Sequence, residues 1–406
     1  MDVEGPRPLD TPRGGVPDVV ETPVALERAV DALSEGTGPV AVDAERASGY
    51  RYGQRAFLVQ LRRDGAGTVL VDPVPLPDLT ALSDAIAGTE WVLHAASQDL
   101  PCLAEVGMRP TDELFDTELG ARLAGFEKVG LAAVVEQLLG WQLAKEHSAV
   151  DWSTRPLPEP WLRYAALDVE VLVDLRDALA EELEKQGKLE WARQEFAAVR
   201  DAPAPEPKAE PWRRTSGIHR LRSGRQLAVL RELWTERDAV ARQRDLAPGR
   251  VLPDRALISA VTEAPRTVAE LTALPVFSGP SNRRRANLWF RAIQRGRAVP
   301  DADLPAASVP ANGPPPPRIW KDRDPDAATR LTRARDTLAR LSEELHVPVE
   351  NLLSPDSLRR LCWRPPADLD EASVGQALRD LGARPWQVSL VAPALAEAFA
   401  ADWPVE

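Results

Sequence analysis

The stretch "PVAVDAE", Pro39 to Glu45, decides how this chain reads. Three apolar residues, Val40, Ala41 and Val42, run into two acids spaced one residue apart, and an extended strand points Asp43 and Glu45 to the same face. Further short apolar runs follow in "AFLVQLRR", "GTVLVDP" and "EWVLHAA", and longer helical patterns begin at Leu131. Strands first and helices later predict an α/β layer with a mixed sheet and flanking helices.

Two other segments carry acids of the same kind. Asp99 stands in "LHAASQDL", while Tyr164 and Asp168 stand four apart in "RYAALDVEVL", a run with helical spacing at Leu162, Ala165, Leu167, Leu172 and Leu175. That offset stacks the tyrosine and the acid on one helix surface. Each feature alone has a plain structural account: an acidic strand end, a helix start with Ser97 or Asp99 as N-cap, the edge of an amphipathic helix. Taken together, three segments offer carboxylates able to converge. Four of them in one pocket raise each other's pKa unless cations sit among them. Mg²⁺ or Mn²⁺ suits hard oxygen ligands, and two such ions about 3.5–4 Å apart serve in-line displacement at phosphorus. The chemistry predicted is phosphodiester hydrolysis.

The order D-x-E, later D, then Y-x-x-x-D resembles the DEDDy class of 3′-to-5′ exonucleases, and the text between resembles the ribonuclease D family. "FLVQLRR", "LFDTELGARLAGF" and "KEHSAVDWSTRPLPEPWLRYAALDV" carry the likeness over roughly residues 18 to 200. A second likeness, to the HRDC domain, lies in "SGIHRLRSGRQLAVLRELWTERDAVARQRDLAPGRVLPD". The resemblance implies a ribonuclease H-like exonuclease domain with Asp43 and Glu45 on a central strand. It implies catalytic roles for Asp43, Glu45, Asp99, Tyr164 and Asp168, with the four acids as ligands of two divalent metal ions, Mg²⁺ or Mn²⁺. By the same likeness Asp43 bridges both ions, Glu45 and Asp168 hold the one carrying the attacking water, Asp99 holds the second, and Tyr164 orients the water. The substrate implied is RNA with a single-stranded 3′ end, chiefly tRNA precursors and other small structured RNAs. A DNA exonuclease of the same class and a non-enzymatic RNA-binding scaffold are the alternatives, and the complete five-residue set argues against the second.

Ala44 departs from the family pattern, where many relatives carry threonine. The loop "RASGYRYGQRA" after Glu45 offers Tyr50, Arg51, Tyr52 and Arg55 either to a 3′ nucleotide or to solvent. Asp151 and Trp152 suit a role in fixing their Pro-rich loop, and Asp116 one in supporting the metal ligands from behind.

At 406 residues, the chain exceeds one ordinary core. The boundaries expected are a disordered tail over 1–17, the exonuclease domain over 18–200, a linker over 201–211, a basic HRDC domain over 212–300, a Pro-rich linker over 301–317 and a diverged HRDC-like helical domain over 318–406. Charge is informative only by region. The formal net charge is −12, yet residues 212–300 hold 18 arginines, no lysine and 7 acids. Arg220, Arg222, Arg225, Arg283, Arg284 and Arg285 are its densest points and candidate nucleic-acid contacts. Residues 318–406 carry 12 basic and 15 acidic residues and suit packing or positioning.

No run of eighteen apolar residues and no hydrophobic leader core occurs, so a soluble cytoplasmic monomer without membrane contact is the expectation. Cys102 and Cys362 read as small buried hydrophobes. His94, His147, His219 and His346 make no zinc spacing, no nucleophile elbow appears, and the lack of a phosphate loop argues against an ATP-driven helicase; no nucleotide cofactor is expected.

Overall fold

The computed structural model describes residues 5–144, 149–204, 206, 208–307 and 313–400. His147 lies outside them.

A six-stranded mixed sheet organises the first half of the chain. In chain order the strands are β1 (Arg7–Leu9), β2 (Val19–Val20), β3 (Thr37–Arg46), β4 (Ala56–Asp64), β5 (Gly67–Val71), β6 (Trp91–Leu93), β7 (Leu114–Asp116) and β8 (Trp141–Leu143). The sheet order is β2-β5-β4-β3-β6-β7. β3, β4 and β5 form an antiparallel meander, whereas β6 returns to the other side of β3 in parallel. β3 is therefore paired on both sides, and its alternation sorts its residues. Val40, Val42 and Ala44 join one apolar core, while Ala41 joins another. Asp43 and Glu45 share the second face, the one covered by helices Glu159–Glu170 and Leu172–Lys185.

Four short strands carry no sequence signal. β1, β2, β7 and β8 are two or three residues long, too short for period-two alternation to register. One of them corrects the expectation of a disordered tail over 1–17. In its described part, β1 pairs in parallel with β8, and the Arg7 amide donates to the Gly140 carbonyl. Arg13 then binds Asp174 at 2.8 Å. Backbone pairing and an ion pair hold a segment whose composition alone suggests none.

The basic stretch forms its own helical unit, with helices Gly224–Arg244, Asp254–Glu263 and Ala286–Ala298 around a core of Trp212, Leu230, Leu233, Trp289 and Ile293. Ser223 starts the first helix through a capping box with Gln226. Gly296 lets two helices touch, since a Cβ there would fall 2.4 Å from the Val229 Cα. The beginning of the 301–317 stretch departs from a free linker. Asp301 pairs with Arg225 at 2.6 Å, and the Ala306 carbonyl accepts from Arg213.

The C-terminal helices Pro325–Leu345, Pro355–Trp363, Glu371–Asp380 and Pro385–Ala400 pack against the sheet unit and share its largest apolar cluster. Trp386 is the rivet. Its ring stacks on Trp191 at 5.0 Å, and its indole N–H donates to Glu195 at 2.9 Å. Arg384 binds the other Glu195 oxygen, also at 2.9 Å. Among the described residues no helix is long and apolar enough to cross a membrane. Trp386→Ala removes a buried ring and strands Glu195 without its indole donor, so a loss of about 3–5 kcal/mol is expected in urea unfolding; a loss below about 1 kcal/mol would contradict this docking.

Candidate active site

Three of the sequence-selected acids meet at one point. Asp43 and Glu45 from β3 and Asp168 from the Glu159–Glu170 helix each place a carboxylate oxygen within 4.8 Å of the others. Strand alternation supplies the first pair. The helix arrives because Pro158 and Pro160 open it with an acid, Glu159, in its first turn, and its apolar face, Ala165, Ala166 and Val169, is buried. Tyr164, one turn before Asp168, donates its hydroxyl proton to that carboxylate. Trp152 lies fully buried, its ring 5.6 Å from Trp161 and 6.5 Å from Tyr164, and so backs the tyrosine.

Asp99 reaches the cluster from a turn. It occupies the N-cap position of helix Leu100–Glu105, yet its side chain makes no capping bond. Arg46 sits 3.4 Å from it instead. Asp116 builds that turn from behind: its carboxylate accepts from the amides of Ala95 and Ala96 and also caps the Thr117–Leu123 helix. Ala95, with φ 61°, takes the left-handed conformation that this grip imposes.

Electrostatics follows from crowding. Burial pushes the Asp43 carboxyl up to about 6, against the Ala44 amide and Arg46. Burial, then the Asp43 charge, drives Asp99 up to about 8. Glu45 is raised well above its ordinary value by burial and by Asp43, Asp168 and Asp99; burial and Asp43 raise Asp168 likewise, with the Tyr164 hydrogen bond opposing. Tyr164 is pushed up by burial first and then by Asp168 and Glu45. The cluster opens on a cleft of about 1570 Å³ whose walls include Arg7, His94, Phe126, Lys128, Gln137 and Trp141. A set of hard oxygen donors, mutually repelling and with Arg46 the cation beside Asp99, fits divalent metal ions. Arg46 and His94 are site residues that the sequence patterns pass over; a cation directly after D-x-E is the signal that points to the first.

The other candidates fall elsewhere. The loop of Tyr50, Arg51, Tyr52 and Arg55 docks on the basic helical unit. The Tyr52 hydroxyl donates to Asp238 at 2.9 Å, Arg51 and Arg55 pair with Asp245, and Arg250 stacks over Tyr50 while donating to the Gly49 carbonyl. Its two tyrosines and two arginines are thus engaged with that unit, while Arg55 stays half exposed. Arg220, Arg222, Arg283 and Arg284 are exposed on that unit. Arg225 is a correction: its guanidinium clamps the Arg297 and Val299 carbonyls and Asp301, closing the end of helix Ala286–Ala298 rather than offering a phosphate contact. Arg285 is half-buried and donates to the Ser281 hydroxyl at 2.7 Å. Cys102 and Cys362 are free, buried thiols, each pushed up to about 12 chiefly by burial.

Comparison with known proteins agrees with this arrangement. Residues 17–184 match the family described as "3′-5′ exonuclease", residues 226–293 the HRDC domain, and residues 313–399 the "3′ to 5′ exonuclease C-terminal domain". The C-terminal helices thus match a description of their own, and HRDC covers the basic unit alone. The chain is similar to ribonuclease D of Gluconacetobacter diazotrophicus, with 31% identity over 366 residues that cover 88% of this chain and 90% of that relative. Among solved structures it resembles a protein from Bifidobacterium adolescentis, at 39% identity and TM-score 0.90, covering 98% of this chain and 100% of that one. Escherichia coli RNase D, described as an exoribonuclease involved in structured RNA processing, follows at 26% identity and TM-score 0.69, covering 94% and 98%.

Protons and cations compete for the same cleft oxygens, and in the cation-free protein Asp43 titrates near 6 and Asp99 near 8. Raising the pH from 6 to 8 strips those protons, so cation binding tightens over that window. Saturating Mn²⁺ should therefore raise the thermal midpoint more at pH 8 than at pH 6, reversibly with EDTA, and Asp43→Asn should shrink the increment. An increment equal at both pH values would contradict this competition.

Proposed function

Because the chain belongs to the ribonuclease D family of 3′-5′ exonucleases, we propose that this exoribonuclease trims tRNA precursors and other small structured RNAs, with Asp43, Glu45, Asp99, Tyr164 and Asp168 as its working residues. The observation that carries this reading is the convergence of Asp43, Glu45 and Asp168 oxygens within 4.8 Å on one cleft. Tyr164 and Asp99 border that same cleft.

Asp43 on β3 would serve both of two divalent ions, Mg²⁺ or Mn²⁺, with Glu45 and Asp168 helping to hold one and Asp99 the other. When bound, such ions supply charge neutralisation and Lewis acidity for in-line displacement at phosphorus. The remaining work falls to the chain. Asp168 holds Tyr164 by its hydroxyl, and Trp152 prevents the ring from swinging inward. Tyr164 stays protonated at any working pH because burial and two acids oppose its ionisation, so its hydroxyl can orient the attacking water. Arg46 holds Asp99 in place at 3.4 Å, and Asp116 fixes the turn beneath.

The scissile end must be single-stranded for its backbone to reach the acids of the cleft, while the body of a structured RNA needs cations to rest on. The exposed Arg220, Arg222, Arg283 and Arg284 serve as that support in this reading. The enzyme would act in the cytoplasm as a monomer.

Asp43→Asn should lower metal-dependent nucleotide release from a 3′-labelled RNA by at least about 10³-fold while circular dichroism stays native; undiminished release would refute the assignment. Tyr164→Phe keeps the ring and loses the hydroxyl, and should lower the rate about 10²-fold with KM little changed. The double change of Arg283 and Arg284 to Ala should weaken binding of a long structured RNA and flatten the slope of log K against log salt by up to about 0.9 per lost contact. Cleavage of a short oligonucleotide should be unaffected, and an unchanged salt slope would remove these arginines from the interface.

A further inference from the structure

His94 stands on the cleft wall without a part in the metal chemistry. It directly follows β6, whose register with β3 pairs Val40 with Trp91 and Ala41 with Val92. The ladder ends there, and residue 94 turns off the strand onto the wall of the cleft that Asp43 also lines. The ring is half-buried and lines the cleft.

Its hydrogen bonding determines what it presents there. Nδ1 lies 2.9 Å from the Thr117 hydroxyl oxygen, and that hydroxyl also lies 3.2 Å from the Leu93 carbonyl. A carbonyl can only accept, so the single Thr117 proton goes to Leu93 and the oxygen turns a lone pair to the imidazole. Nδ1 therefore carries the ring proton, which leaves Nε2 as a bare acceptor. Among the described residues Nε2 has no hydrogen-bond partner. Burial pushes the imidazolium down to about 4, the Glu118 carboxylate opposing, so the ring is neutral near pH 7. Glu118 is itself engaged by Arg122 at 2.6 Å.

A neutral acceptor has nothing to offer a phosphodiester, whose oxygens are acceptors too. The donors that accompany every terminal phosphodiester of RNA into the cleft, whatever the base, are the ribose hydroxyls. We infer that His94 Nε2 accepts a hydrogen bond from a hydroxyl of the 3′-terminal ribose, making it a specificity-determining residue for RNA ends. This inference rests on the exoribonuclease reading. Sites built to bond a substrate hydroxyl discriminate against analogues lacking it, and the 2′-hydroxyl is the group that tells RNA from DNA.

The test compares wild type, His94→Leu and His94→Gln on three oligonucleotides that differ only in the terminal sugar: ribose, 2′-deoxyribose and 3′-deoxyribose. His94→Leu should slow single-turnover release from the ribose end about 10-fold. It should cause no further loss on the one analogue that lacks the bonded hydroxyl, which identifies that hydroxyl. His94→Gln carries an amide oxygen acceptor and should recover part of the difference, showing that folding is not the cause. Equal losses on all three ends, no loss on any, or a loss that tracks the terminal base instead of the sugar would overturn the inference. Failure of the parent reading looks different: wild type would release nothing from any end in Mg²⁺ or Mn²⁺.

Discussion

Repulsion among buried carboxylates is the constraint around which the first half of this protein is arranged. A strand paired on both sides, a helix laid across it and a turn pinned from behind bring Asp43, Glu45, Asp168 and Asp99 together, against a cost that rises with each charge added. Stability cannot explain the arrangement, since dispersing the acids to water would lower the energy. The surrounding rigidity, an apolar core on either side of the sheet and a caged turn at Ala95, is what keeps them close. That is the form expected of a site whose favourable state includes cations.

The parts of this fold legible in the sequence are those that repeat. Period-two alternation in "PVAVDAE" marks β3 and the common face of its acids, and the four-residue offset marks Tyr164 and Asp168 as neighbours on a helix. Asp99 is legible only through its order relative to the others, because its turn is built by Asp116, whose carboxylate reaches back 21 and 20 residues to the Ala95 and Ala96 amides. Segments of two or three residues such as β1 and β8 pair through backbone atoms, which every residue carries, and so leave no trace in composition.

Arginine shows the limit of reading charge by count. Of the six densest cations in the basic unit, Arg225 is spent on carbonyls at a helix end and Arg285 on a serine hydroxyl, while Arg283 and Arg284 face solvent. The same guanidinium fork that suits phosphate also suits a frayed helix terminus, where several carbonyls lack donors. Which use prevails is set by folding partners dozens of residues away, such as Asp301 for Arg225.

The loop that leaves β3 ties the acidic cluster and the basic helices to one short piece of backbone. Within about ten residues the chain passes from Glu45 to Tyr52 and Arg55, whose partners Asp238 and Asp245 belong to the basic helices, and Arg250 grips the Gly49 carbonyl in return. The acidic cluster and the basic helices therefore hang from one short length of backbone, so a displacement of either pulls on the other.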